Sequence, residues 1–131
     1  MMLTSGLVAY LLTQTSITDV VGERIQPIPA PEDLSQYPCI TYQGSSDVSE
    51  DANDGPVGVA EARIIFDCLA LRYLDARGLA EALKTALNGY SGALPDGTRI
   101  FRVKSANLVD RWEDGSYISC TSFHALIQYG D

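Results

Sequence analysis

The residues able to do chemistry are few, and their spacing argues against catalysis. His124 is the sole histidine. A histidine base needs a nucleophile and an orienting acid, and no signature marks Ser122 or Asp67 as its partners. His124 is therefore expected to be structural or superficial. Cys39, Cys68 and Cys120 stand far apart, outside metal-ligand spacing and too few for a disulfide framework. Each lies in an apolar or alternating run, as a buried reduced thiol does. An odd count without pairing suits a reducing compartment.

Two patterns in one loop invite a binding test. Asp51, Asn53 and Gly55 open with the alternate spacing of a calcium loop. Pro56 then stands where that loop needs glycine, and Ala62 where it needs glutamate, so the pattern fails. Gly55-Pro56-Val57-Gly58 lacks a following Lys-Ser/Thr and precedes a strand, so it is no phosphate loop. No cofactor is expected. Asp47, Glu50, Asp51 and Asp54 remain as an acidic stretch without a local cation. It reads as a solvated loop or as an assembly loop that orders on a partner. Trp112 and Tyr117 flank a turn. They form either a cross-strand aromatic pair or an interface anchor.

The elements that position these residues follow from periodicity. Leu3, Leu7, Tyr10 and Leu11 repeat at helical spacing and predict a helix over Leu3 to Thr13. Thr15 to Gly22 reads as a short helical turn or loop that Ser16 caps and Gly22 ends. Arg24 to Gln26 is a brief strand. Pro27, Pro29, Pro31 and Pro38 then forbid helix and point to an extended segment or a sheet edge. Tyr37 to Gln43 is a strand, and Gly44 to Gly58 a loop longer than a hairpin needs, expected to move in the free protein.

From Val59 to Ala70 the chain alternates. Ala60, Ala62, Ile64, Phe66 and Cys68 face one way, a strand with one buried face. Arg72 to Asn88 is the strongest helix. Tyr73, Ala76, Ala80, Leu83 and Leu87 form its stripe, Leu79 and Ala86 flank it, and Asn88-Gly89 stops it. Gly89 to Gly97 reads as a loop. Strands Thr98 to Trp112 and Ser116 to Tyr129 meet at Asp114-Gly115, a hairpin signal. A tight turn there sets Trp112 opposite Tyr117, Val109 opposite Cys120 and Val103 opposite Leu126. Phe101, Val103, Val109, Ile118, Cys120 and Leu126 then share one face. Leu108, Trp112, Tyr117, Phe123 and Ile127 share the other. With both faces partly apolar, either a neighbouring subunit covers the second face or a bulge flips the register. The expectation is one α+β domain over residues 1–131, mainly antiparallel, with an N-terminal helix and a long central helix packed on one face and a C-terminal β-hairpin.

The bulk numbers agree with a folded, acidic protein. The chain has 131 residues, 46% hydrophobic and 20% charged, with a formal net charge of -8. Its pI is about 4.4 and its mean hydropathy +0.02. Such a chain folds without metal or disulfide help. With two lysines and this charge it has little with which to release counterions from phosphate, so it is a poor candidate for tight non-specific DNA binding. No run approaches the roughly 20 apolar residues of a membrane span. The N-terminal residues lack the pattern of a signal peptide, and synthesis in the cytoplasm is expected.

Taken in order, these segments resemble the tail-completion proteins of long-tailed bacteriophages, also called tail terminators or tail-to-head joining proteins. The resemblance runs from the opening helix at Gly6 to Leu12 through Val21-Gly22-Glu23-Arg24-Ile25 and Tyr37-Pro38-Cys39-Ile40-Thr41-Tyr42. It continues through Ala62-Arg63-Ile64-Ile65-Phe66-Asp67-Cys68, Tyr73, Ala76-Arg77, Ala86-Leu87-Asn88-Gly89 and the final hairpin. It implies a structural, non-enzymatic virion protein: a homo-oligomeric ring, commonly hexameric, at the head-proximal end of the tail. Its partners would be the tail tube protein and the head-tail connector or stopper protein. Genome DNA would pass through without specific binding, and no membrane is involved. The candidate interface residues are Asp47, Glu50, Asp51, Asp54, Trp112 and Tyr117. The alternatives are another connector component, such as a head-completion or stopper protein, or a small binding module or enzyme.

Overall fold

A computed structural model describes residues 3–47, 60–95, 97–111 and 118–130. Three helices cover one face of a six-stranded, mostly antiparallel sheet of order β1-β2-β3-β6-β5-β4. In chain order these are α1 (Leu3–Leu11), α2 (Thr15–Val21), β1 (Ile25–Pro27), β2 (Cys39–Asp47) and β3 (Ala60–Ala70). Then come α3 (Tyr73–Leu87), β4 (Gly92–Ala93), β5 (Arg99–Arg111) and β6 (Ser119–Gly130). Fold class matches the sequence-based expectation, with the C-terminal hairpin formed by β5 and β6, and the expected elements keep their order, with β4 added between α3 and β5.

Leu3, Leu7 and Leu11 recur every four residues and sink the same face of α1 into the core. α2 is a true helix. Gln14, not Ser16, takes its N-cap position, without a side-chain capping bond, and Gly22 closes it at φ 63°, ψ -118°. That backbone region suits only glycine. On α3 the buried residues are Ala76, Leu79, Ala80, Leu83 and Leu87. Leu79 thus belongs to the centre of the stripe, whereas Tyr73 is 49% exposed and lies outside it. Tyr10 joins α1 to α3: its hydroxyl donates to the Ala86 carbonyl at 3.0 Å. Its ring lies 4.5 Å from that of Tyr90.

Alternation on β3 is as expected. Ala62, Ile64, Phe66 and Cys68 are buried under the helices. Phe66 approaches Phe123 of β6 at 6.3 Å between ring centroids. Complete burial of a large apolar side chain stabilises the fold by ~1.5–3 kcal/mol. Leu7, Leu11, Ile17, Phe66, Leu83, Leu87 and Phe123 all qualify.

Four further expectations need correction. β2 runs on to Asp47, through an irregularity between Gly44 and Asp47, and Gly44 still pairs with Ile64. The first residues of the expected loop are therefore strand, because β3 is long enough to pair them. The proline-rich segment is not wholly extended. A single 3-10 turn spans Leu34–Gln36, capped by Asp33, whose side chain accepts from the Ser35 amide at 2.9 Å. The expected loop after α3 contains β4, which pairs Gly92 with Ile100 and Ala93 with Arg99.

The fourth correction is the hairpin register. Ile100 faces Tyr129, as a tight turn at Asp114-Gly115 requires. Beyond it, Val103 faces Ile127 and not Leu126, and Val109 faces Ser122 and not Cys120. Register shifts at Ile100/Arg102 and at Ser105/Leu108 each add a residue to β5. An extra residue flips every later side chain to the other face. Val103 therefore joins Phe123 and Ile127 in the core, with Leu108 packed against them. Phe101, at the first shift, is 44% exposed. An unbroken ladder into a two-residue turn would set Arg111 opposite Ile118, yet it faces Cys120. Asp114 and Gly115 themselves lie outside the described residues.

Candidate assembly surface

The face of the sheet without helices carries one of the two clusters of polar side chains that the fold brings together. Cross-strand pairing sets them in rows. Asp67 of β3 pairs with Ser122 of β6, Ile65 with His124, and Arg63 with Leu126, while Leu126 also pairs with Lys104 of β5. Strand alternation therefore places Asp67, Ser122 and His124 on one face.

That grouping is not a catalytic triad. The Ser122 hydroxyl donates to Asp67 Oδ1 at 2.5 Å, and Arg111 Nη1 stands 3.6 Å from the same oxygen. The acid is thus bonded directly to the hydroxyl instead of orienting the imidazole. Ser122 is fully buried. A triad needs the histidine between acid and serine. Sequence reasoning gave Asp67, Ser122 and Arg111 no role as a group. A buried serine opposite an aspartate is visible only once the strands are paired.

At the hairpin end of this face, Tyr37, Cys39 and Leu69 form a small second core, with Ile118 and Cys120 packed against it. The Tyr37 hydroxyl donates to the Pro31 carbonyl at 2.6 Å, which pins the proline-rich segment. Burial pushes the Cys39 thiol up to about 11, against the pull of Arg24. Burial, with the Asp67 carboxylate beside it, does the same to Cys120. Cys68, on the helix side, is raised further by burial. Thiols held this firmly protonated are poor nucleophiles and poor metal ligands. Among the described residues no three metal-ligating side chains converge.

A second polar cluster fastens α3 to β5. Asp110 accepts from Tyr73 at 3.0 Å, from Thr121 at 3.0 Å and from Arg77 at 3.2 Å. Partial desolvation pulls the Asp110 carboxyl up, but the bonds from Thr121, Tyr73 and Arg77 outweigh it and hold the group below its ordinary value. Arg77 also pairs with Glu81 at 3.3 Å. Next to this cluster Leu71, Tyr73 and Leu74 are exposed, Leu74 at 76%. A groove at the C-terminal end of α3 is lined by Asn88, Gly89, Arg102, Val103 and Lys104. It offers two cations and no acid or base to act with them.

Of the sequence-derived interface candidates, Asp47 ends β2. Glu50, Asp51, Asp54, Trp112 and Tyr117 lie outside the described residues. The question of a cross-strand Trp112–Tyr117 pair lies there with them.

No helix among the described residues is long and apolar enough to cross a membrane. No curated protein sequence matches the chain. The model of a family described as tail completion protein gp17 matches residues 5–128. Among solved structures, a chain of the virion of a native gene transfer agent particle superposes with a TM-score of 0.76 at 15% identity. The superposition covers 98% of this chain and 95% of that one. At that identity the likeness is one of fold.

Proposed function

Because the chain belongs to the tail completion protein gp17 family, and is on that ground a tail structural protein, we propose that it closes the head-proximal end of a phage tail. In this reading, copies form a ring on the finished tube, stop its growth and present the surface on which the head connector docks. Six copies is the number the family resemblance suggests. The whole chain acts as one terminator-like domain, without catalysis, and genome DNA passes through the ring.

The family match over residues 5–128 carries this reading. Physical chemistry supports it. Among the described residues no metal-ligating cluster is assembled and the thiols are held protonated by burial, whereas the helices pack on only one face of the sheet. A net charge of -8, with only nine Lys and Arg, favours weak attraction for duplex DNA as it moves past.

The test is to mix the full-length protein with purified tail tubes and measure size by light scattering. A ring-sized species, alone or on the tube ends, is expected, together with tubes that no longer elongate. A protein that stays monomeric with tubes present would sink the terminator reading. Binding to a head connector but not to tubes would support the rival stopper role. Random duplex DNA should show no tight binding at physiological salt.

A further inference from the structure

The strand order gives the molecule two unlike sides. On one side lies β1, entered from α2 and left through the proline-rich segment. Asp19, Glu23, Glu32 and Asp33 are exposed there and make no ion pair among the described residues. Among the described residues the single cation on that side, Arg24, donates to backbone carbonyls of Pro38 at 3.0 Å and Val20 at 3.3 Å. On the opposite side lies β5, which β4 covers only at Arg99 and Ile100. Arg99, Arg102 and Lys104 are exposed there and likewise have no carboxylate partner among the described residues. Asp110, the one described acid of β5, is occupied by Thr121, Tyr73 and Arg77.

Each side also exposes apolar side chains among its charges. Val20, Ile28 and Leu34 do so beside β1, and Phe101 and Val109 do so on β5. Apolar anchors ringed by charge are the anatomy of a protein interface. A protein with a net charge of -8 whose described residues offer three neighbouring cations on one side no carboxylate partner has a surface complementary to its own opposite side.

Resting on the ring reading above, we infer that neighbouring copies meet side to side, the β5 side of one against the β1 side of the next. The occupant of each surface is a second copy of this chain. Like sides repel, so a two-fold dimer is disfavoured. Unlike sides attract, which is the head-to-tail contact that generates a closed ring. Strand addition is not the mode of contact. Register shifts at Ile100/Arg102 and Ser105/Leu108 break the open edge of β5, a device that prevents edge pairing. Side chains, not backbone, make the joint.

The experiment uses full-length protein with two charge-reversed variants. One carries Arg102→Glu and Lys104→Glu, the other Glu23→Lys and Glu32→Lys. All four residues are exposed and make no side-chain bond among the described residues, so an unchanged thermal midpoint confirms the fold. Sedimentation over a concentration series, with tail tubes where assembly needs them, reads ring formation. Each variant alone is expected to need at least tenfold more protein to assemble. An equimolar mixture should recover wild-type assembly, because one variant then has two acidic sides and its partner two basic ones. Variants that assemble like wild type, or a mixture that fails to recover, overturn the side-to-side contact while leaving the ring intact. A wild-type protein that never assembles overturns the ring reading and this contact together.

Discussion

Removing the Ser122 hydroxyl tests whether the polar pin on the helix-free face stabilises the sheet. In Ser122→Ala the Asp67 carboxylate loses its 2.5 Å partner at a position where its side chain is only 14% exposed. A hydrogen bond to a charged group contributes ~1.5–3 kcal/mol. Arg111 remains 3.6 Å from the carboxylate, but it is 55% exposed and its attraction is screened by solvent. It offsets part of the loss, which places the expected cost near ~1.5 kcal/mol. For a chain of this size that lowers the thermal midpoint by ~5 °C. Urea titration should show a lower midpoint with an unchanged slope, the sign of lost stability without a changed unfolded state. Asp67→Asn should cost roughly half as much, since its amide oxygen still accepts from Ser122 and a neutral bond is about half as strong. If Ser122→Ala stays within ~0.5 kcal/mol of wild type, as an ordinary surface change does, Asp67 is satisfied by Arg111 and water, and the pin has no energetic role.

Leu83→Ala on α3 removes a fully buried side chain from the helix–sheet interface and should cost ~2–5 kcal/mol by denaturant melting; a cost below ~1 kcal/mol would mean α3 is not seated on the sheet. Raised thiols make stability fall in alkali. The folded values of Cys39 and Cys120 lie at about 11 against an ordinary 9.0, so their contribution is complete below pH 9.0 and is lost as pH rises toward 11. Tyr10 and Tyr37, raised by burial, act in the same direction. Thermal midpoints between pH 8 and 11 should fall, and should fall less in a Cys39→Ala, Cys120→Ala variant; an identical profile for both proteins would contradict the assignment.

Much of the fold is legible in the sequence because it rests on local periodicity. The alternation from Ala62 to Cys68 determines which face of β3 is buried, and the stripe through Ala76, Leu83 and Leu87 does the same for α3. Gly22 marks a helix end because its backbone geometry demands glycine. The same local logic explains why the candidate site was hard to read. An acidic run and a Trp–Tyr pair are conspicuous in a sequence, yet no local rule says what they touch.

What depends on distant pairing was decided by tertiary structure alone. The two shifts on β5 are invisible until β6 sets the register, since a bulge is a mismatch between two strands and not a property of one. They move Val103 into the core and leave Phe101 outside. Ser122 and Asp67 are 55 residues apart and meet only because β6 lies beside β3. The polarity of the molecule has the same origin. Composition determined that the chain is acidic. The strand order put β1 and β5 on opposite sides of the sheet, and so separated Asp19, Glu23, Glu32 and Asp33 from Arg99, Arg102 and Lys104. Net charge is a sum over residues, whereas a charge pattern needs their positions, and those come only from how the strands pack.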